Sequence, residues 1–342
     1  MKAVVIRAPG GVDQLEYREL PEPAPGPGEV VVRLRAAALN HLDIWVRQGG
    51  ADGPPCFPHV CGSDGAGEVV AVGPGVTEPE VGARVVIDPW IGCGTCEACH
   101  AGERTRCPDL RVVGAHRPGT YAERVRLPAE NVLPVPEGLA DPEAAAAPLV
   151  FATAWQMLVE RAKVKPGETC LVLAAGSGVG SAAIQVARLA GARVIATASL
   201  RSKLQRAREL GADETINYLQ HDFAAAARRL TGGRGVDVVV EHVGPATFGQ
   251  SLRALAVGGR LVTCGATTGA AAAFDLRSFY LRQLSILGAT GATRHDVETV
   301  LRLIGEGRLR PVVDVLCDLK DAARAQERML AREQFGKIVL TM

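Results

Sequence analysis

Residues 169–203 read TCLVLAAGSGVGSAAIQVARLAGARVIATASLRSK, and this stretch decides the fold. Residues 170–174 form an apolar run of the length of a buried strand, which ends in a turn of small residues at 175–180. A helix with a mostly apolar face follows and stops at Gly191, before a second apolar run at 194–198. The pattern predicts a strand, a glycine turn, a helix and a second strand.

The predicted turn has the chemistry of a diphosphate site. Small residues let the backbone approach a phosphate group, and the N–H groups and positive end of the next helix face it. The turn reads AxSxxG from Ala175 and departs from strict GxGxxG, so an ordinary tight turn is an alternative. The surrounding strand, helix and strand favour a dinucleotide site. Its predicted residues are Ser177, Gly178, Val179 and Gly180.

The end of the second strand bears on the choice of dinucleotide. NAD-selective sites usually place Asp or Glu there to accept hydrogen bonds from the ribose hydroxyl, whereas a 2′-phosphate needs cations and no carboxylate. Here the carboxylate is missing, and Ser199, Arg201 and Lys203 offer a hydroxyl and two positive charges. We therefore expect NADP(H) in preference to NAD(H). The alternative is that both charges are solvated at the start of the next helix.

Composition limits the class of protein. A chain of 342 residues with 47% hydrophobic content is long enough for about two domains. A net charge of +1 gives no electrostatic basis for binding nucleic acid or an anionic membrane. The N-terminus starts as a strand, without a signal-peptide core, and no apolar run reaches the length of a membrane span. These features predict a cytoplasmic protein.

The order of predicted elements gives the fold class. Short strands separated by proline and glycine fill about the first 145 residues and predict an antiparallel, barrel-like β domain. An alanine-rich helix is predicted over 139–160. Strands then alternate with helices, which predicts an α/β fold with a doubly wound parallel Rossmann sheet. The predicted domains are 1–152 together with 286–342, and 153–285, with the tail returning to the β domain.

Four of the nine cysteines have the spacing of a metal site. They follow the pattern C-x2-C-x2-C-x7-C in a lobe at about 90–110. Four thiolates close a tetrahedral shell and leave no open position, which indicates one structural zinc per chain rather than a catalytic ion. An iron–sulfur cluster, unligated thiols and disulfides are the alternatives. The predicted ligands are Cys93, Cys96, Cys99 and Cys107.

Taken together, these features resemble the medium-chain dehydrogenase/reductase superfamily, which includes zinc alcohol dehydrogenases and quinone oxidoreductases. The resemblance extends over essentially the whole chain, from a GroES-like N-terminal segment through the cysteine lobe and the dinucleotide turn to FGKIVL at 335–340. It implies a two-lobed oxidoreductase with cofactor and substrate in the cleft between its domains. It also implies a homodimer or homotetramer.

The chain departs from the zinc alcohol dehydrogenases at the catalytic zinc ligands. The position of the first ligand, a Cys, holds Asn40. The Gly-His-Glu position reads Gly62-Ser63-Asp64, and the third ligand position holds Leu149. The hydroxyl that relays the alcohol proton in that branch is replaced by Leu42. Because zinc needs three soft or borderline ligands and an open position, we expect no catalytic zinc.

The quinone oxidoreductase branch is the better match, because its members carry N-x-x-D followed by an aromatic residue. Here these are Asn40, Asp43 and Trp45. The resemblance implies hydride transfer from NADPH to a small carbonyl, quinone or enone, with Asn40 donating its amide to the acceptor, Asp43 orienting neighbours and Trp45 lining the pocket. The alternatives are a turn-forming Asn40, a helix-capping Asp43 and a core Trp45.

Further cofactor contacts are implied by the resemblance alone. Thr153 matches a residue behind the nicotinamide, His41 and Lys337 match cations near the diphosphate, and Tyr218 matches a contact at the adenosine end. Gly265, at the end of a predicted strand, completes the predicted set.

Two other functions stay open. The segment CFPHVCGSD at 56–64 is rich in metal ligands, and a displaced catalytic zinc would make the protein a zinc-dependent alcohol dehydrogenase. Its candidate ligands are Cys56, His59, Cys61 and Asp64, with His41 nearby. The second alternative is a nucleotide-binding protein without turnover. Near-neutral charge disfavours a nucleic-acid role for such a protein.

Overall fold

The computed structural model describes residues 1–50 and 56–342, and these form two compact units. Unit 1 comprises Met1–Leu149 and Ala292–Met342, and unit 2 comprises Val150–Gly291. The sequence predicted domain boundaries after residues 152 and 285.

The N-terminal part of unit 1 consists mostly of short strands, in agreement with its proline- and glycine-rich sequence. Its strands are β1 (Lys2–Ile6), β2 (Leu15–Glu19), β3 (Glu29–Ala38), β4 (Asp64–Val72), β5 (Arg84–Ile87), β6 (Trp90–Ile91), β7 (Arg111–Val112), β8 (Arg124–Pro128) and β9 (Val132–Pro134). The helices of this region are α1 (His41–Arg47), α2 (Glu97–His100), α3 (Asp141–Ala145) and α4 (Pro148–Trp155), the last of which continues into unit 2.

Strands and helices alternate through unit 2. They are β10 (Thr169–Val172), α5 (Gly178–Leu189), β11 (Arg193–Ala198), α6 (Arg201–Glu209), β12 (Glu214–Asn217), α7 (Phe223–Leu230), β13 (Val236–Glu241), α8 (Pro245–Ala254), β14 (Leu255–Thr263), α9 (Leu276–Leu281) and β15 (Ser285–Gly288). The chain then returns to unit 1 with α10 (Arg294–Gly305), β16 (Val313–Asp318), α11 (Ala322–Leu330) and β17 (Lys337–Thr341).

The sheet of unit 2 confirms the predicted α/β class. Its strands are all parallel, in the order β12-β11-β10-β13-β14-β15. The chain runs outward from β10 through β11 to β12, and then restarts on the other side of β10 with β13. The order therefore reverses between β10 and β13, and ligands of such sheets bind at the carboxyl ends of the strands at this reversal.

The main sheet of unit 1 brings the C-terminal strand beside β3. The sheet has the order β16-β17-β3-β4-β5-β9, and β8 also pairs with β3. β17 and β4 flank β3 and both run antiparallel to it. Ala38, the last residue of β3, pairs with Val339 and with Asp64. The predicted return of the tail to the β domain is confirmed, and it places Lys337 near the start of α1.

The single helix predicted over 139–160 is wrong. The structure has α3, then α4, then a π-helical turn at Gln156–Arg161. Pro148 explains the first break, because its ring nitrogen cannot donate a hydrogen bond to a preceding helical carbonyl. The alanine run at 144–147 gave a strong helical pattern that hid this break.

Each unit has its own apolar core. In unit 2 the core lies between the parallel sheet and its helices, with Leu171, Ile195 and Val239 fully buried. In unit 1, β1, α1, α11 and β17 share one cluster, which includes Val5, Ile44 and Leu340. Among the described residues no helix has the length and apolar character needed to cross a membrane.

Candidate active site

The segment after β3 turns into α1 through Asn40 and Asp43. Both side chains are buried. Asp43 Oδ2 accepts a hydrogen bond from the backbone N–H of Asn40 at 2.8 Å, which pairs one of the free N–H groups at the start of a helix. The Tyr121 hydroxyl donates to the same Oδ2 at 2.9 Å. Asp43 therefore has the capping role that the sequence left as an alternative, and it also orients Tyr121.

Burial changes the pKa values of Asp43 and Tyr121. Removal from water raises the pKa of Asp43 from 3.8 to about 6, although the hydrogen bonds from Asn40 and Tyr121 and the charge of Lys337 act in the opposite direction. Burial and the Asp43 charge raise the pKa of Tyr121 well above its ordinary value. Tyr121 is therefore a neutral hydrogen-bond donor at physiological pH.

A buried ammonium group lies beside Asn40. Lys337 Nζ donates to Asn40 Oδ1 at 2.5 Å and to Asp64 Oδ2 at 2.9 Å. The Asn40 amide donates to the same Asp64 oxygen at 2.9 Å and to the carbonyl of Ala38 at 3.3 Å. Asn40, Asp64 and Lys337 form one hydrogen-bonded set, which we call the Lys337 cluster.

The Asp64 carboxylate also has a partner on its other oxygen. Leu149 N–H donates to Asp64 Oδ1 at 3.0 Å, and the Thr120 hydroxyl donates to the Asp64 carbonyl at 2.8 Å. Positions 40, 64 and 149 are therefore neighbours in space. By the resemblance, these are the positions of the catalytic zinc ligands in the zinc alcohol dehydrogenases. Position 40 corresponds to the first ligand, position 64 to the end of the Gly-His-Glu sequence, and position 149 to the third ligand. In this chain an ammonium–carboxylate pair lies where they meet.

The geometry bears on the role expected for Asn40. The sequence predicts that its amide donates to the acceptor, yet the amide already donates to Asp64 and Ala38. Lys337 was predicted to lie near the diphosphate, and its ammonium contacts Asn40 and Asp64 within unit 1. Asn40 and Lys337, predicted for different roles, are thus direct neighbours.

His41 and Trp45 lie one turn apart on α1. Their rings meet edge to face, with centroids 5.1 Å apart, and both side chains are partly buried. Burial, and to a lesser degree the charge of Arg332, lowers the pKa of His41. His41 is therefore mostly neutral at physiological pH.

The ligand-rich segment at 56–64 does not gather into a metal site. His59 Nε2 lies 3.0 Å from the Gly114 carbonyl, Cys61 is fully buried, and Cys56 is exposed. Asp64 is paired with Lys337. Among residues 1–50 and 56–342, a single group of three or more metal-ligating side chains comes together, and it lies elsewhere in unit 1. The geometry therefore gives no support to the displaced zinc site.

That group is the cysteine lobe. The four Sγ atoms of Cys93, Cys96, Cys99 and Cys107 lie within 4.8 Å of one another, and those of Cys93 and Cys99 are 3.9 Å apart. Tetrahedral zinc with Zn–S bonds of about 2.3 Å needs S–S distances of about 3.8 Å, so the lobe fits this ion. Hydrogen bonds from Thr95 lower the pKa of Cys93 to about 6, whereas burial and hydrogen bonds with the other thiols raise the pKa of Cys99 to about 12. The thiolate therefore forms more readily at Cys93 than at Cys99.

The predicted dinucleotide loop lies between β10 and α5, at the reversal of strand order. Ser177 is the residue before α5, and its Oγ accepts from Gly180 N–H at 2.8 Å. A Cβ on Gly180 would lie 2.3 Å from the Ala174 carbonyl oxygen, so only glycine lets the helix start this close to the strand. Gly178 and Val179 are partly exposed in the first turn of α5. The loop therefore fits a diphosphate, as the sequence predicts.

Two residues that the sequence analysis missed complete this edge of the sheet. His242, directly after β13, places Nε2 at 3.0 Å from Ser177 Oγ. Glu241, the last residue of β13, is fully buried and accepts hydrogen bonds from two backbone N–H groups and two hydroxyls. The sequence signal was available, since 236–241 was predicted as a strand whose end lies at a ligand-binding edge.

The remaining predicted cofactor residues also lie in unit 2. Ala198 and Asn217, the last residues of β11 and β12, are paired. Ser199 and Tyr218, which follow them, therefore lie at the carboxyl ends of these two strands. Tyr218 and Arg201 are exposed, whereas Lys203 is buried and has a partner of its own. The other two are Gly265, which follows β14 and is partly exposed, and Thr153, which is buried in α4.

Two models of known protein families match different parts of the chain. Residues 26–137 match the model of the alcohol dehydrogenase GroES-like domain, and residues 178–306 match that of the zinc-binding dehydrogenases.

Relatives of known activity match over the whole chain. Acryloyl-coenzyme A reductase of Metallosphaera sedula is 33% identical over 343 residues, covering 100% of both proteins. The 2-haloacrylate reductase of a Burkholderia species is 33% identical over 358 residues, covering 99% of this chain and 98% of that protein. A crystal structure of an NAD-dependent alcohol dehydrogenase is 51% identical, with a TM-score of 0.97 and full coverage of both chains. The chain is therefore an oxidoreductase that belongs to the medium-chain dehydrogenase/reductase superfamily.

Proposed function

We propose that the protein is an NADP(H)-preferring reductase of carbon–carbon double bonds conjugated to a carbonyl group, and that it works without catalytic zinc. The observation that carries this proposal is the Lys337 cluster. Its ammonium–carboxylate pair lies where positions 40, 64 and 149 meet.

The cluster has the wrong chemistry for zinc. The metal needs three ligands and one open position. Asn40 offers an amide whose oxygen accepts from Lys337, and Leu149 offers only a backbone N–H that donates to Asp64. A divalent cation at this point would also meet the positive charge of Lys337 with its carboxylate partner already paired.

A conjugated acceptor suits such a cluster. The nicotinamide, when bound, supplies the hydride. Negative charge then develops on the carbonyl oxygen of the acceptor, and a fixed positive charge or N–H donor stabilises it in place of a Lewis acid. In this proposal Lys337 provides that charge, while Asn40 and Asp64 orient the ammonium group. Asp43 and Tyr121 fix the backbone at Asn40.

Two relatives support this class of acceptor. The names acryloyl-coenzyme A reductase and 2-haloacrylate reductase both denote a double bond next to a carbonyl group. The proposed substrate is accordingly a small α,β-unsaturated carbonyl compound, such as an acid or an acyl thioester. Quinones and simple carbonyls are the competing acceptors.

The choice of NADP(H) rests on the end of β11. Ser199, Arg201 and Lys203 follow this strand, and no carboxylate lies among residues 199–203. Arg201 is exposed in the first turn of α6, where its guanidinium can pair with a 2′-phosphate. Thr153, Tyr218 and Gly265 are proposed as further contacts of the dinucleotide.

The cysteine lobe is proposed to bind one structural zinc per chain. Four thiolates leave no open coordination position, so this ion contributes to folding rather than to the reaction. All nine cysteines are free thiols in the structure, which suits a reducing compartment. We therefore propose a cytoplasmic location.

A second copy of the chain is the proposed partner. β15 lies at one edge of the parallel sheet, with β14 as its neighbour. Val257 of β14 and Leu276 of α9, the helix that precedes β15, are exposed by 71% and 68%. An open strand and exposed apolar side chains favour pairing with another chain. Sedimentation should show a dimer or tetramer that Leu276→Glu weakens, and a monomeric wild type would contradict this proposal.

One experiment tests the function. Zinc per chain is measured on protein purified without added metal, and NADPH and NADH oxidation are followed with an enoyl thioester, a quinone and an aldehyde. We expect one tightly bound zinc and turnover of the conjugated double bond that survives mild chelation. Two zinc ions, with aldehyde turnover lost when one is removed, would overturn the proposal in favour of an alcohol dehydrogenase. Nucleotide binding without turnover of any acceptor would also overturn it.

A further inference from the structure

The imidazole of His242 reaches the start of α5 from the neighbouring strand. β10 and β13 are adjacent and parallel, with Val172 paired to Val240. Residues that follow these two strands therefore lie on opposite sides of the reversal of strand order, where a dinucleotide is expected. Ser177 lies on one side and His242 on the other, and Ser177 Oγ is 3.0 Å from His242 Nε2.

The hydrogen-bonding capacity of the Ser177 hydroxyl is largely used. One of its lone pairs accepts from Gly180 N–H at 2.8 Å, and the hydroxyl carries a single hydrogen. When Nε2 is unprotonated, that hydrogen points to the imidazole. When Nε2 carries a proton, it donates to Oγ and the hydroxyl hydrogen points elsewhere. In both states the ring determines the orientation of the hydroxyl in the first turn of α5.

The surroundings of His242 keep the ring in place. The buried Glu241 carboxylate accepts from Val243 N–H at 2.7 Å and from Gly244 N–H at 3.0 Å. Glu241, the residue before His242, therefore holds the turn that follows His242. Thr268 donates to the Val243 carbonyl through both its N–H and its hydroxyl, at 2.9 Å and 2.8 Å. His242 itself is only 9% exposed. The ring is a fixed part of the site rather than a mobile surface group.

We propose that His242 is a positioning residue for the diphosphate of the dinucleotide, acting through the Ser177 hydroxyl. This inference rests on the proposed function, because it takes the loop at 177–180 as the diphosphate site. A hydroxyl fixed at the start of a helix adds a directed hydrogen-bonding group to the N–H groups that already face the phosphate. Without the ring, the hydroxyl rotates and the site is less well organised before the ligand binds.

The test measures nucleotide affinity directly. NADPH and NADH are titrated into the full chain, and Kd is read from the nicotinamide fluorescence. We expect His242→Phe, which keeps an aromatic ring but removes the nitrogen, to weaken binding about tenfold, the effect of one hydrogen bond. His242→Gln brings an amide near the position of Nε2, and it should stay within about threefold of the wild type. His242→Leu repeats the loss in case the phenyl ring is not accommodated.

A double-mutant cycle separates positioning from a general loss of structure. Ser177→Ala should weaken binding at least as much as His242→Phe, because it also removes the hydroxyl that accepts from Gly180 N–H. The double variant should bind no more weakly than Ser177→Ala, because the ring acts only through that hydroxyl. Asp222→Ala is the control for helix capping, since Asp222 Oδ1 caps α7 in the same way at 2.9 Å from Ala225 N. It should lower thermal stability without changing Kd.

Three outcomes overturn the inference. Wild-type affinity in both His242→Phe and His242→Leu would exclude a role for the ring. Additive losses in the double variant would show that the two residues act independently. Equal losses in His242→Gln and His242→Phe would indicate a requirement for imidazole shape rather than for the hydrogen bond. A wild-type chain that binds neither nucleotide would overturn the proposed function itself, and the inference with it.

Discussion

Lys337 Nζ lies 2.9 Å from Asp64 Oδ2, and the two side chains, on β17 and β4, are 3% and 0% exposed. A buried ion pair seldom adds net stability, because both charges lose their hydration, but removing one partner leaves the other charged and unpaired. Each of the two buried charges therefore needs the other, and this ion pair links β17 to β4 at the Lys337 cluster.

Replacing Lys337 tests this dependence. Lys337→Met should lower the free energy of unfolding by about 3–5 kcal/mol, because it leaves the Asp64 carboxylate buried without its cation. Urea denaturation measures the change. Adding Asp64→Asn should recover part of the loss. The control is Lys320→Met, whose ion pair with Asp318 is exposed to solvent and should contribute little to stability. Similar effects of the two lysine variants would contradict the argument.

Replacing Gly180 tests the close approach of α5 to β10. In Gly180→Ala the new Cβ meets the Ala174 carbonyl oxygen at 2.3 Å, so the helix start has to shift. We expect a loss of about 1–3 kcal/mol in stability, together with weaker nucleotide binding. Gly249→Ala is the matched control, since its Cβ would lie 3.8 Å from the nearest group, on Arg253, within α8.

The control should be neutral or stabilising by up to about 1 kcal/mol, because alanine favours a helix over glycine. Calorimetry and fluorescence titration measure the two quantities. Unchanged nucleotide affinity in Gly180→Ala would show that the diphosphate does not contact this turn.

Stability should depend on pH through Asp43. Its pKa is raised from 3.8 in the unfolded chain to about 6 in the folded protein, so the folded state binds the proton more tightly. The contribution of Asp43 to stability is complete below pH 3.8 and is lost as the pH rises through about 6, a change of about 3 kcal/mol.

Asp43→Asn removes this titration and keeps an oxygen that accepts from Asn40 and Tyr121. The difference in unfolding free energy, wild type minus variant, should therefore become less favourable to the wild type between pH 4 and pH 7. Asp88, whose pKa burial also raises to about 6, is present in both proteins and cancels from the difference. A difference that does not change with pH would show that Asp43 has an ordinary pKa.

The cysteine lobe should lose its metal when any one of its four ligands is replaced. Cys107→Ser should reduce zinc content from one per chain to well below one, and lower the melting temperature by about 5 °C or more, because the closed thiolate shell contributes to folding. Cys56→Ser, at an exposed thiol outside the lobe, should keep both values. Metal analysis and calorimetry decide the point, and full zinc content in Cys107→Ser would refute the assignment.

Arg201 should discriminate between the two dinucleotides. Arg201→Ala should weaken NADPH binding by about five- to tenfold and change NADH binding less than about twofold, because only NADPH carries the 2′-phosphate. The control is Arg302→Ala, at an exposed arginine of α10 paired with Glu306. Equal losses for NADPH and NADH would place Arg201 away from the phosphate, and tighter binding of NADH by the wild type would contradict the preference for NADP(H).

Ser177 and His242 differ in how far the sequence predicts them. Ser177 was predicted from a local pattern, and local patterns record which residues a strand, turn and helix need in succession. His242 was missed, although the strand before it was predicted correctly over 236–241. Its contact with Ser177 depends on which two strands are neighbours in the sheet. β10 and β13 are neighbours, although their paired residues Cys170 and Val238 are 68 positions apart in the chain.

By itself, the sequence determined the α/β class and the superfamily, and it predicted a dinucleotide turn and a set of four cysteine ligands, because each depends on residue types at short spacing. The tertiary structure decided what happens at Asn40. Asp64 and Lys337 are 273 residues apart in the chain, and antiparallel pairing of β3 with both β4 and β17 brings their side chains together. Burial makes the loss of either partner of this charge pair costly in free energy. Burial is a property of the packed molecule rather than of any stretch of residues.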